Sequence, residues 1–417
     1  MGVKKIRCSF CGKEEKDVRK LVFRKDTPNE GVCICDECTM KCMGMLMQEE
    51  SAKAVSEKDT TVSASDMRPS RIKKFLDEHI IGQDRAKVAM SVAIYNHYKR
   101  IENIHLNADD DVQLTKGNIL MMGPTGCGKT LIAQSIAKLL NVPFTVADAT
   151  TLTEAGYVGE DVENIIKNLW IASGKNIERT SKGIVCIDEI DKIATRGDKG
   201  RDVGGEGVQQ ALLKMIESGS VTFTPDSAKN RPQQDLIQVD TTNILFIFSG
   251  AFNNIGSIVQ NRIGVSGLGF HSDPVAKKTD NDMELRRQVE TIDVIKYGLI
   301  PEFMGRIPVI VTLDELDEKA LLDIMWKPKN SILRQYERLF DIDHVKLTVT
   351  EDARVAIVKE AIRRKSGARG LRSIFEEVML DVMYEVPSME NVQEVIVDEG
   401  VVLKQHDPEL KFYKHAS

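Results

Sequence analysis

The stretch Gly123-Pro124-Thr125-Gly126-Cys127-Gly128-Lys129-Thr130 limits what this chain can be more than any other feature. It satisfies G-x-x-x-x-G-K-[ST] in full, after the apolar run Asn118 to Met122 and before a helix-period segment starting near Thr130. The glycines let successive backbone N–H groups turn inward on phosphate oxygens, and the helix N-terminus adds partial positive charge. Lys129 reaches the β- and γ-phosphates and the Thr130 hydroxyl takes Mg²⁺. Further apolar runs, Val142 to Val146, Gly183 to Ile187, Asn243 to Phe248 and Pro308 to Thr312, read as buried strands. They alternate with helical stretches such as that carrying Leu131, Ile132, Ala133, Ile136, Leu139 and Leu140. The alternation predicts an α/β fold, a parallel sheet flanked by helices. After about residue 313 strand signals thin out. Helical periods over 321–338, 351–365 and 371–385 predict a second, mainly helical domain.

The run Gly183 to Ile187 ends in Asp188-Glu189. At the carboxyl end of a strand, Asp188 is placed to hold Mg²⁺ and Glu189 to orient or deprotonate the attacking water. Taken alone, the pair reads equally well as a helix N-cap. Beside the phosphate loop, the catalytic reading prevails. Cys127, a thiol beside a helix N-terminus, is expected to have a lowered pKa, so that its oxidation would block nucleotide.

Six of the eight cysteines, Cys8, Cys11, Cys33, Cys35, Cys38 and Cys42, fall in the first tenth of the chain. In a reducing compartment such a cluster is a metal site rather than a disulfide framework. Cys8-x₂-Cys11 and Cys35-x₂-Cys38 form two knuckles, and four thiolates so arranged give a closed, tetrahedral, structural Zn²⁺ site. The intervening segment is slightly longer than usual for this pattern, and another frame could use Cys33 or Cys42. Residues 1–50 carry 10 Lys+Arg against 9 Asp+Glu. That is too neutral to track phosphates, so a protein-binding or dimerising role is favoured over nucleic acid.

The whole chain points the same way. Its net charge of −6 and pI of about 5.8 argue against bulk capture of nucleic acid. Its 42% hydrophobic residues can bury a large core. No apolar run approaches the ~18 residues of a membrane span, and the N-terminus runs into Cys8 without the apolar stretch of a signal peptide. A cytoplasmic protein with no membrane partner is expected. Residues 51–70, rich in Ser, Thr, Lys, Glu and Asp, read as a flexible linker.

Longer strings carry a resemblance. CSFCGK at Cys8–Lys13, ICDEC at Ile34–Cys38, Ile81-Gly82-Gln83, YNHYKR at Tyr95–Arg100, LTEAGYVGEDVEN at Leu152–Asn164, GEGVQQALL at Gly205–Leu213, GLIPEFMGR at Gly298–Arg306 and GARGLRS at Gly367–Ser373 are similar to the ClpX family. These are the AAA+ unfoldases that feed the Clp protease. The resemblance spans essentially the whole chain. It implies an N-terminal zinc-binding domain over 1–50, a linker over 51–70, a large AAA+ ATPase domain over 71–312 and a small, mainly helical domain over 313–417. It implies a homohexamer that binds ATP, Mg²⁺ and Zn²⁺, takes up protein substrates through adaptors, and unfolds and threads them into the peptidase ClpP. Ile80 and Ile81 correspond to the stretch that packs on adenine. Tyr157, with Val158, matches the pore loop that grips the threaded chain, a role a ring can fill without sequence demands. Arg306 matches the arginine finger reaching a neighbouring subunit's γ-phosphate, and Arg369 the sensor-2 arginine. Leu268-Gly269-Phe270 resembles the tripeptide that docks on ClpP. The chain departs from the family at the pore mouth. Lys229-Asn230-Arg231 stands before Pro232-Gln233-Gln234, where well-known members carry Arg-Lys-His, which implies an altered tag preference.

Overall fold

Strands β3 (Ile119–Met122), β4 (Phe144–Asp148), β5 (Ile184–Asp188), β6 (Leu245–Gly250) and β7 (Val309–Thr312) form one five-stranded sheet in the spatial order β7-β3-β6-β5-β4. Every pairing in it is parallel, with Ile247 opposite Ile119 and Cys186. Its strands alternate between two cores. Ile119, Met121, Ile184, Cys186, Leu245 and Ile247 face one apolar cluster, and Leu120, Met122, Val185, Ile187, Phe246 and Phe248 face the other. Successive side chains of a strand point to opposite faces, so a sheet covered on both sides needs unbroken apolar runs. That is why these strands were legible. The exception is β4 at the edge, where Val146 is exposed.

The chain divides into two units, Met1–Val62 and Ser63–Ser417. The computed structural model describes residues 7–14, 17–23, 33–41, 68–103, 112, 114–153, 160–194, 205–217, 219–224, 236–263, 282–364 and 366–413. In the first unit β1 (Leu21–Phe23) pairs antiparallel with β2 (Cys33–Cys35).

The second unit opens with α1 (Pro69–His79), two residues before the boundary expected from composition. Proline favours this, because at the first helical position its missing N–H is an orphan in any case. Next come α2 (Asp84–Asn103) and α3 (Lys129–Leu140), which pack on one face of the sheet. Helices Asn164–Ala172 and Gly205–Glu217 cover the other, around Phe246, Phe248, Phe252 and Phe303.

Beyond residue 313 lie α4 (Glu318–Trp326), α5 (Ile332–Ile342), β8 (Lys346–Val349), α6 (Glu351–Arg363), α7 (Gly367–Glu385), β9 (Val392–Val397) and β10 (Glu409–Phe412), with a core of their own. The helices were expected. The three-stranded sheet, β8 parallel and β10 antiparallel to β9, was not. Its strands are short and interrupted by charge. Glu394 on β9 takes hydrogen bonds from Lys346, Thr348 and Lys411, which masks the apolar period. Side-chain hydrogen bonds tie this region to the start of the unit. The Gln83 side chain pairs both ways with the Asp314 backbone, at 2.8 and 2.9 Å, and Lys329 bonds Glu78 at 2.7 Å.

Candidate functional site

Ligands of open parallel sheets sit beyond the carboxyl ends of the strands, and this sheet gathers its polar groups there. The loop 123–130 leaves β3 and enters α3. Gly126 and Gly128 adopt φ of +81° and +100°, which L side chains rarely take. A Cβ at Gly126 would also lie 3.4 Å from the Ala368 nitrogen, so the loop and the first turn of α7 approach closely. Lys129 is buried, its ammonium donating to the Gly123 and Pro124 carbonyls at 2.7 and 2.9 Å.

Strand order explains the rest. Because β6 stands between β3 and β5, its Ser249 falls between the loop and the acidic pair. The Ser249 hydroxyl donates to Asp188 Oδ1 at 2.7 Å, and Thr130 Oγ1 donates to Asp188 Oδ2 at 3.0 Å. The carboxylate is therefore oriented from both sides, with one oxygen beside the Thr130 hydroxyl. Two hard oxygen donors side by side suit Mg²⁺, which binds through few protein oxygens and phosphate. Glu189 follows with φ +58°, in the left-handed region, and its backbone N–H donates to Asp188 Oδ1. Non-glycine residues held there are strained, and such strain collects at functional sites. Asp191 is buried and accepts the Ala251 N–H at 3.1 Å, joining the ends of β5 and β6.

A cavity of about 620 Å³ opens above these groups. Thr125, Lys129, Thr130, Asp188 and Glu189 line it from the sheet, and Arg369 lines it from α7. The loop, the acidic pair and Arg369, read separately from the sequence, are thus brought together. Backbone N–H groups, a buried ammonium and two hydroxyl or carboxylate oxygens fit the phosphates and metal of a nucleotide.

Other expected residues lie elsewhere. Ile80 is buried among Leu76, Met90 and their neighbours, and its carbonyl accepts Lys87 Nζ at 2.6 Å. The preceding residue, His79, lines the cavity instead. Arg306 is exposed, is not among the cavity's lining residues and pairs with Glu217 at 2.8 Å. Tyr157, Val158, Leu268, Gly269, Phe270 and the segment Lys229 to Arg231 lie outside the described residues. The expectation for Cys127 is corrected. It is 3% exposed, and burial pushes its thiol up rather than down, outweighing the pull of Lys129 and the loop N–H groups. Sequence reasoning missed Ser249, Asp191 and His79. The signal for Ser249 was available, since it stands one residue beyond an apolar run at a carboxyl end.

In the first unit the sulfurs of Cys8, Cys11, Cys35 and Cys38 lie within 4.8 Å of one another. Tetrahedral zinc with Zn–S of about 2.3 Å puts sulfurs about 3.8 Å apart. The Cys11 and Cys35 sulfurs are 3.7 Å apart. Backbone N–H groups turn toward the cluster, Cys35 N to Cys8 Sγ at 3.3 Å and Cys38 N to Cys35 Sγ at 3.5 Å. N–H bonds, led by that of Cys11, bring Cys8 down to about 6, while desolvation and the neighbouring thiols push Cys38 up to about 12. Four thiolates this close need a cation. Cys33 stays apart, its thiol donating to the Arg7 carbonyl at 3.1 Å.

Both sites fall within stretches that match known families. Residues 114–324, about half the chain, match the AAA domain (Cdc48 subfamily). Residues 316–397 match the C-terminal, D2-small domain of ClpB protein, and residues 6–48 match the ClpX C4-type zinc finger. The chain belongs to the AAA+ ATPases of the ClpX type. As a member of this family it is an ATPase, and its C4 cluster is the family's zinc-finger site. Among the described residues no helix is long and apolar enough to cross a membrane.

Proposed function

We propose that this ClpX-type ATPase is a cytoplasmic protein unfoldase and translocase, working as a homohexamer, that delivers substrates to ClpP and also acts alone as a chaperone. The observation that carries this reading is the cavity shared by the phosphate loop and Arg369. The loop belongs to the sheet domain and Arg369 to α7, so whatever binds between them alters how the two domains sit. In the assignment 71–312 is the large domain, 313–417 the small one, 51–70 a linker and 1–50 the zinc domain that receives adaptors and substrates.

Within the cavity Lys129 and the N–H groups of 123–130 bind the phosphates, exchanging the loop carbonyls that now hold Lys129. Thr130 and Asp188 hold Mg²⁺, whose charge offsets that of the phosphates. Ser249 keeps Asp188 in place, and Glu189 orients the attacking water and takes its proton. Arg369 reports the nucleotide to the small domain. Ile80 and Ile81 belong to the stretch that packs on the adenine. Arg306 is supplied to the neighbouring subunit's site, which accords with its exposure and its absence from the lining of its own cavity. Tyr157 and Val158 grip the chain being threaded, and Leu268-Gly269-Phe270 docks on ClpP.

The test is degradation of a folded, tagged protein by the full chain with ClpP. Loss of the substrate is expected only when ATP and ClpP are both present, and not with Phe270→Ala. ATP consumption without degradation, across a range of tags, would contradict the reading.

A further inference from the structure

Away from the phosphate loop, the same cavity changes character. Ile324, Pro328 and Ile332 line it there, together with His79 at the end of α1. Apolar side chains suit the faces of a flat base but cannot tell one purine from another. Discrimination needs a polar atom of fixed sense, and His79 supplies one. Its Nδ1 lies 2.8 Å from the Phe75 carbonyl oxygen. A carbonyl only accepts, so Nδ1 is the donor, and of the two neutral tautomers this selects the one whose lone pair is on Nε2. The ring is further held against Phe75, with centroids 4.3 Å apart and planes at 31°. The neighbouring polar groups are less selective. Ser331 Oγ caps α5 by accepting the Arg334 N–H, and Lys329 is paired with Glu78. The Asn330 amide can turn to present either a donor or an acceptor.

We infer that His79 selects the base of the nucleotide, its Nε2 accepting a hydrogen bond from the exocyclic amino group of adenine and opposing a purine that carries a carbonyl there. The inference rests on the nucleotide reading given above. It adds a specificity residue that acts on the base, remote from the phosphates.

Inosine triphosphate is the probe, because at this end it differs from ATP by replacing the amino group with a carbonyl and by carrying a hydrogen on N1. Hydrolysis of both nucleotides is measured on the full chain with Mg²⁺, comparing wild type, His79→Phe and His79→Gln. One hydrogen bond made or lost predicts a wild-type preference for ATP of about three- to tenfold in kcat/KM. In His79→Phe the ratio falls to about one, with the loss falling on ATP. In His79→Gln, whose amide can turn to accept from an amino group or donate to a carbonyl, the ratio also falls toward one, but with turnover of ATP retained. A wild-type ratio of one, or a His79→Phe ratio equal to that of wild type, would overturn the assignment while leaving the ATPase reading intact. Turnover of neither nucleotide by the wild type would remove both.

Discussion

Around Cys8, Cys11, Cys35 and Cys38 the described residues form two three-residue strands, and their buried apolar side chains are Cys8, Cys33 and Cys35. The sheet domain instead lays five strands between two apolar clusters, and the small domain adds a third. The first region has little to bury, so its order depends on drawing four thiolates onto one ion. The second is ordered by burial, which leaves the carboxyl edge of its sheet free to carry polar and strained groups such as Asp188 and Glu189. Chemistry sits where packing is already secured, and metal substitutes for packing where it is not.

Removing zinc should break this contrast most sharply. Structural zinc contributes roughly 10–16 kcal/mol of apparent binding free energy, which in so small a unit is folding free energy. Chelation, or Cys35→Ala, should make the N-terminal unit sensitive to limited proteolysis while the thermal transition of the body stays in place. Equal losses in both regions would erase the distinction. At the carboxyl edge, Glu189→Gln should lower ATP hydrolysis by about 10²–10⁴-fold yet retain nucleotide binding, read by turnover and by equilibrium titration. Substitution within the core should show the reverse pattern. Phe248, fully buried against Phe246 and Phe303, should cost the body about 3–5 kcal/mol as Phe248→Ala in denaturant unfolding, with zinc content unaltered.

Smaller effects refine the comparison inside the body. Gln83→Ala strands the Asp314 backbone groups and should cost about 1–3 kcal/mol, seen as easier separation of the small domain in hydrogen exchange. Glu394 is held down at about 2, chiefly by the hydrogen bond from Lys346, with Thr348 and Lys411 adding to it. Its folded value lies below its ordinary 4.5, so its contribution is fully present above that value. It fades as pH falls toward 2. Glu394→Gln should therefore lower the stability of the small domain at neutral pH and flatten the acid limb of its unfolding, with variant and wild type converging as pH falls toward 2.

The sheet was legible because runs such as Asn118 to Met122 are apolar on both faces, and the phosphate loop because its glycines, lysine and threonine have a fixed spacing. The zinc frame followed from two x₂ knuckles, which the sulfur cluster selects over Cys33. What escaped depends on neighbours distant in sequence. Ser249 matters only because strand order places β6 beside β5. His79 looks like an ordinary helix-end histidine until the Phe75 carbonyl fixes its tautomer and the small domain closes the cavity around it. The small-domain sheet stayed hidden behind charged residues such as Glu394. Cys127 misled because proximity to a helix N-terminus is visible in sequence, whereas burial is not.

The central claim is that nucleotide turnover in this cavity is converted into mechanical work on another protein. Its most direct measurement is the fluorescence of a folded, degron-tagged fluorescent protein incubated with the full chain and ATP, in the absence of peptidase but with a trap for unfolded chains. The account predicts a steady loss of signal with wild type, and none with Glu189→Gln or Tyr157→Ala. Persistent fluorescence while the wild type consumed ATP, or undiminished loss with Tyr157→Ala, would contradict it.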